Sequence, residues 1–411
     1  MGRDDGAVSR TSRVLVLGSG FAGLWAALGA VRRLEELGAR GAVDVTVVSS
    51  RPFHDIRVRN YEADLSACRI PLLDLLDPAG IGHVTADVTA IDPAQATVRT
   101  ADGATLGYER LVLAVGSAVS KPNLPGLAEF GFDVDTYDGA MKLQAHIRDL
   151  AGHAADDAIR TAVVVGAGLT GIETASELPR MLSDALGPGV TPRVILIDHN
   201  PRVGSDMGES ARPVIEKALA DNDVDTFTGI GVNALDDRSV TLSSGEVVPT
   251  ATVVWCAGMR ANPLTAQFGV PCDRLGRLPV DDYLRVEGVS GVFAAGDVAA
   301  ARMDDAHMSV MSCQHGRPMG RYAGYNVIGD LLGVPMMPLR IPWYVTVLDL
   351  GPAGAVYTEG WDRRVVSIGA EAKATKQAIN GVRIYPPLNG DRTALLAAAA
   401  PELQTAPTYG E

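Results

Sequence analysis

Two glycine-rich turns of the same spacing, each set between an apolar run and a helix-forming stretch, constrain this chain more than any other feature. The first is Gly18-Ser19-Gly20-Phe21-Ala22-Gly23, preceded by Arg13-Val14-Leu15-Val16-Leu17. A short apolar run of this kind reads as a buried parallel strand. Residues 24–37, rich in Leu and Ala and free of Pro, read as a helix, and residues 43–48 as the next strand. In such a βαβ unit Gly18 permits the tight turn and Gly20 lets backbone N–H groups approach a pyrophosphate. Gly23 lets helix and strand pack closely, and the helix N-terminus adds partial positive charge. The unit predicts a dinucleotide site.

The same grammar returns at Thr161-Ala162-Val163-Val164-Val165, followed by Gly166-Ala167-Gly168-Leu169-Thr170-Gly171-Ile172-Glu173. A helix through Leu182 and a strand over residues 193–197 complete the unit. One such turn is weak on its own, because glycine turns recur in many folds. Two in one chain imply two dinucleotides, a tightly held flavin and an exchangeable nicotinamide. Farther on, Gly291-Val292-Phe293-Ala294-Ala295-Gly296-Asp297 reads as a short strand ending in Gly-Asp. That ending presents a carboxylate and a backbone N–H at the mouth of the sheet, suited to a ribityl hydroxyl and a phosphate. An Asp that caps the next helix is the structural alternative.

Composition agrees with a large α/β protein. At 411 residues the chain exceeds one ordinary domain, and about 100–200 residues per domain suggests two or three. Hydrophobic residues make up 47%, charged residues 21%, and there are 45 glycines, which suits a fold with many tight strand-to-helix turns. A formal net charge of −13 argues against nucleic acid and anionic lipid as partners. The polar start, Met1 to Arg13, lacks the apolar run of a signal peptide, and no stretch reaches membrane-spanning length, so a cytoplasmic location is expected. The four cysteines, Cys68, Cys256, Cys272 and Cys313, never occur as Cys-x-x-Cys, which excludes a short-range dithiol. A distant pairing stays open; buried free thiols are the expectation for Cys256 and Cys313. No metal site is expected.

In order along the chain stand the first glycine turn, Leu113-Ala114-Val115-Gly116, the second glycine turn with Glu173, Trp255-Cys256-Ala257-Gly258, and Ala295-Gly296-Asp297. This order resembles the flavoproteins with two dinucleotide-binding domains that include disulfide reductases, and within them the type II NADH dehydrogenases. The resemblance covers about residues 13 to 330. It implies an α/β fold of two Rossmann-like FAD- and NAD(P)-binding domains, one inserted in the other, with a smaller C-terminal α+β unit. Residues 13–118 and 262–330 would build the FAD domain, 119–261 the NAD domain, and 331–411 a β-rich substrate or interface unit. The implied cofactors are FAD and NADH.

At the end of the second strand of the NAD unit, Asp198 can accept hydrogen bonds from the adenosine ribose and would meet a 2′-phosphate with like charge, which predicts NADH over NADPH; Arg202 nearby could soften the preference. Glu173 matches a family glutamate placed near the nicotinamide carboxamide, with an ordinary first-turn helix acid as the alternative. The FAD unit departs from pattern, with Ser49-Ser50-Arg51 where a ribose-binding acid is usual, so weaker flavin retention is expected. Gly116 and Gly258, each after a strand, occupy turns that in the family pass close to the cofactors.

For the acceptor side, residues 52–62 carry more charge than a core segment should. Arg57, Arg59, Tyr61 or Glu62 would meet the acceptor or the pyrophosphate, against the alternative of a solvated loop. Quinone-reducing relatives have an Ala-Gln-x-Ala-x-Gln helix start near the flavin ring. Here that stretch is Cys313-Gln314-His315-Gly316-Arg317-Pro318, so Gln314 matches and Pro318 replaces the second Gln. His315 is a candidate catalytic group beside the alternative of a structural histidine. Lys373 and Lys376 lie about where relatives carry a lysine near the acceptor pocket; an exposed helix face is the alternative.

Residues 341–351 and 354–360 read as strands. Residues 393–400 offer only a short Ala-rich run and the tail after Pro401 is polar, so membrane association is expected to be weak at most. A homodimer is compatible with this reading. The expected function is an FAD-dependent oxidoreductase that takes hydride from NADH and passes electrons directly to a quinone or quinone-like small molecule. The alternatives are a tailoring oxidoreductase acting on a polar metabolite, a reductase of a ferredoxin-type partner, and a redox-silent NADH sensor.

Overall fold

The computed structural model describes residues 12–153 and 156–402. The polar start before Ser12, and the tail beyond residue 402, lie outside the described residues. Both glycine turns follow the central strand of a five-stranded parallel sheet. In the first sheet the order is Val292–Ala294, Arg110–Leu113, Ser12–Leu17, Val43–Ser49, Gly82–Thr85. Val14 pairs with Val45 on one side and Val16 with Val112 on the other. Val14 through Leu17 are no more than 1% exposed, as a strand covered on both faces must be. Helix α1 (Phe21–Glu36) begins before residue 24, because Gly20 in extended backbone already serves as its N-cap.

The second sheet repeats this plan in the order Gly131–Phe132, Thr252–Trp255, Thr161–Val165, Arg193–Asp198, Val224–Thr228, again parallel throughout. Helix α2 (Leu169–Leu186) follows its central strand and runs a turn beyond Leu182, with Pro179 inside it. The second sheet lies wholly between the fourth and fifth strands that the chain adds to the first, so one parallel unit is inserted in the other. Each unit also carries a three-stranded antiparallel meander just before the strand that returns beside its centre. These are Val88–Asp92, Thr97–Thr100, Thr105–Gly107 and Val232–Leu235, Ser239–Leu242, Val247–Pro249.

Helix α3 (Cys313–Leu332) lies along α1 with their backbones in close approach. A Cβ on Gly320 would strike the Ala22 carbonyl, so only glycine fits this crossing. After α3 come the antiparallel strands Val345–Asp349, Ala355–Glu359 and Arg364–Ile368, shorter than the two runs in the sequence suggest. Helix α4 (Gly369–Ala378), a π-helical turn Ile379–Arg383 and helix α5 (Arg392–Ala398) follow. Among the described residues no helix is long and apolar enough to cross a membrane.

Candidate functional site

The two cradles are alike in detail. Gly18 has φ +102° and its N–H donates to Val48 O at 2.8 Å; Gly166 has φ +105° and donates to Ile197 O at 2.7 Å. A Cβ on Gly18 would strike the Ala114 carbonyl, whereas at Gly20 nothing lies within 4 Å of where a Cβ would be. The caps of α1 and α2 are Gly20 and Gly168, and neither helix has a side chain capping its first N–H groups. Open backbone beside uncapped helix N-termini is what an anionic pyrophosphate needs, so the residues fit a dinucleotide at both places.

The strand-end acids and serines are tied to these cradles. The buried Asp198 carboxylate accepts from the N–H groups of Ala167 and Asn200, so it braces the second turn. Ser49 Oγ donates to Arg51 O at 2.7 Å and lies 3.0 Å from His83 Nε2. Ser50 is exposed, and Arg51 pairs with Asp138. Gly116 and Gly258 both have positive φ, +72° and +76°. The strands they follow are joined through Ser117–Val119 and Met259–Ala261, which pair antiparallel.

Asp297 sits in the turn after Val292–Ala294. Burial raises its carboxyl above the ordinary value, opposed by Ser117 Oγ, which donates to it at 2.6 Å, and by Arg57 at 4.0 Å. Neither group was identifiable as its partner from the sequence, although Ser117 directly follows Gly116. Arg57 also donates to Ser117 O at 3.0 Å and pairs with Asp135. Segment 52–62 is therefore not a solvated loop: Arg57 and Tyr61 line a cleft, and Arg59 holds Glu62 and Tyr385.

This cleft, of about 750 Å³, lies within the roughly 300–1,000 Å³ usual for ligand pockets. It gathers Arg57, Tyr61, Thr170, Glu173, Gln314 and Lys376 from positions far apart in the chain. Lys376 Nζ donates to Glu173 Oε1 at 2.7 Å, and the Asp349 N–H donates to the same oxygen at 3.1 Å. Burial raises the Glu173 carboxyl, an effect those two bonds oppose. Burial pulls the Lys376 ammonium down, but the Glu173 carboxylate beside it overrides this and holds it above its ordinary value. Lys376 is thus a buried partner of Glu173 and not part of an exposed helix face. Lys373 pairs with Asp349, whose other oxygen accepts from Tyr61 Oη at 3.2 Å. Asp349 is a site residue that the sequence did not flag.

Gln314 lines the cleft, and its Nε2 is buried with no hydrogen-bond partner among the described residues. His315 corrects an expectation. It is fully buried and not among the lining residues; its Nδ1 accepts from the Val310 N–H at 2.8 Å and its ring lies 5.4 Å from that of Tyr344. Burial lowers its pKa to about 4, so it serves packing as a neutral ring. All four cysteines are free; burial pushes Cys68 up to about 11 and Cys256 to about 12, so neither is a thiolate at neutral pH.

Comparison with known proteins gives the same architecture. Residues 12–320 match the family described as pyridine nucleotide-disulphide oxidoreductase. An NADH dehydrogenase-like protein of Mycobacterium tuberculosis is 71% identical over 399 residues, covering 96% of this chain and 100% of that protein. A demethylphylloquinone reductase of Synechocystis is 30% identical over 84% of this chain and 86% of its own length. Among solved structures, NDH2 from Plasmodium falciparum in complex with NADH superposes with a TM-score of 0.76 at 13% identity, covering 95% of this chain and 98% of that one.

Proposed function

The chain belongs to the pyridine nucleotide-disulphide oxidoreductase family, and from that premise we propose that it is an FAD-dependent NADH oxidoreductase whose electron acceptor is a quinone or quinone-like small molecule. The observation that carries the reading is the pair of duplicate cradles, uncapped helix N-termini on glycine turns, with the start of α2 reaching the cleft at Leu169, Thr170 and Glu173. FAD would be held by the turn of Gly18, Gly20 and Gly23, by Ser49, Ser50 and Arg51, and by Gly116, Gly296 and Asp297. NADH would be held by Gly166, Gly168 and Gly171, with Glu173, Asp198 and Gly258. Residues 13–118 and 262–330 then form the flavin unit, 119–261 the nicotinamide unit, and 331–411 the acceptor side.

Bound FAD supplies the two-electron chemistry of NADH + H⁺ + quinone → NAD⁺ + hydroquinone. The protein supplies orientation and protons. Arg57 fixes the Asp297 carboxylate through Ser117, Gln314 would present its side-chain amide to an acceptor in the cleft, and Lys376 with Glu173 holds a proton at the cleft wall. A quinone acceptor is supported by the Synechocystis relative, whose name is that of a demethylphylloquinone reductase.

The test is anaerobic titration of the purified protein. It should carry a flavin spectrum, bleach with stoichiometric NADH, and recover with a naphthoquinone. A protein that takes up no flavin on adding FAD, or that bleaches but is reoxidised by no quinone, refutes the reading.

A further inference from the structure

A second cavity, of about 740 Å³, is bounded by α1, α3 and the segment leading into and beyond α5, and the proposal above leaves it unused. Among its described lining residues are four arginines, Arg59, Arg317, Arg321 and Arg383, and one acid, Glu402. In a chain of net charge −13 this is a local gathering of basic side chains; Arg59 is held by Glu62, and Arg317 and Arg383 have interactions of their own, so the site turns on Arg321.

Arg317 and Arg321 stand four residues apart on α3 and so share a face. They are 7% and 4% exposed, and their guanidinium carbons lie 5.3 and 4.4 Å from the ring centre of the buried Trp25. Like charges at this spacing repel, and for Arg321 stacking on the indole offsets only part of the cost of burial. Burial, with Arg317 adding to it, lowers Arg321 to about 10. Its Nε is buried with no hydrogen-bond partner among the described residues. A buried donor of this strength is costly unless something accepts from it. Pro386, Leu388 and Ala397 make much of the remaining wall apolar. Arg317, Arg321 and Arg383 also line the cleft, so the two cavities share a guanidinium wall.

We propose that this cavity holds the anionic group of the electron acceptor, a carboxylate, phosphate or sulfonate carried on an apolar ring that reaches the cleft. This rests on the quinone reading. Planar guanidinium forks recognise such oxyanions in a way a neutral quinone cannot exploit, and the apolar wall accommodates the ring.

The experiment uses FAD-loaded protein and two probes, 1,4-naphthoquinone-2-sulfonate and neutral 2-methyl-1,4-naphthoquinone. Binding to the oxidised protein is measured calorimetrically without NADH, and the KM of each probe is measured with NADH. Wild type should bind the sulfonate about tenfold or more tighter than the neutral probe, and R321Q should remove about that factor for the sulfonate alone. R33Q, outside the cavity, should change neither. Equal wild-type affinities overturn the proposal whether or not the variant folds. So does an R321Q protein with intact flavin spectrum and melting curve that binds the sulfonate normally, or that loses both probes alike. Arginine-dependent sulfonate binding with no NADH oxidation by any quinone refutes the acceptor reading but supports an anion site. Fast, arginine-independent turnover of the neutral probe supports the acceptor reading and refutes the anion site.

Discussion

Replacing Lys376 with Met would leave Glu173 as a buried carboxylate without its cation. The side chains of this pair are 11% and 8% exposed and in contact at 2.7 Å, so solvent screens little of the interaction. Removing one partner of a buried pair costs about 3–5 kcal/mol. The Asp349 N–H still donates to Glu173 at 3.1 Å, which places the loss near the lower end, whereas the Val347 carbonyl loses its 3.2 Å bond from Lys376. At about 3 kcal/mol, and roughly 2–4 °C per kcal/mol for a unit of this size, K376M should melt roughly 6–12 °C below wild type. Adding E173Q removes the stranded charge, so the double variant should recover most of the loss. The measurement is thermal unfolding of FAD-loaded protein at neutral pH by far-ultraviolet circular dichroism. A K376M protein that melts with wild type, or a double variant no more stable than K376M, would refute the buried ion pair.

Other outcomes follow from the same geometry. His315 is neutral when folded, with a pKa of about 4 against 6.5, so the unfolded chain binds the extra proton between those values and stability should fall as pH drops through that window. The loss is about 3 kcal/mol at its full extent, and H315N should flatten the pH dependence of melting; parallel profiles would count against it. D198S removes like charge from the site of a 2′-phosphate, so the NADH to NADPH ratio of kcat/KM should fall about tenfold. An unchanged ratio would assign the choice to another group, and a drop in melting temperature is expected alongside because Asp198 also braces Ala167 and Asn200. Substituting all four cysteines by Ala or Ser should leave stopped-flow flavin reduction by NADH and reoxidation by a quinone intact. A folded, flavin-loaded variant that is reduced but not reoxidised would implicate Cys313, which lines the cleft.

What the sequence reveals here is what is local. An apolar run, a glycine turn and a helix occupy about thirty consecutive residues, which is enough to place two parallel βαβ units; the insertion of one in the other comes with the family resemblance. The meanders are less visible, because their strands are only three to five residues long, too short for their alternation of more and less buried positions to stand out. Contacts made at a distance leave no mark at all. Ser117 meets Asp297 across 180 positions, and Lys376 meets Glu173 across 203. Glu173, Lys376 and Asp297 stand out in the sequence as candidates, but which residue each one meets appears only when the fold supplies it.

The start of α3 shows how a cleft-lining segment can hold a residue that faces away from the cleft. Taken as a string, Gln314 and His315 are equally close to a cofactor turn and both invite a catalytic role. On a helix, successive side chains are turned by about 100°, and the shared face runs through positions three, four and seven apart. Starting from Gln314, that face takes Arg317, Pro318 and Arg321, all of which line the cleft. His315 falls on the neighbouring face, against Tyr344 and Trp361 in the interior. The substitution of Pro318 for a glutamine therefore acts on the cleft, and so do the two arginines flanking it. This wall carries one amide and two guanidinium groups, so a ligand in the cleft meets charge as well as shape.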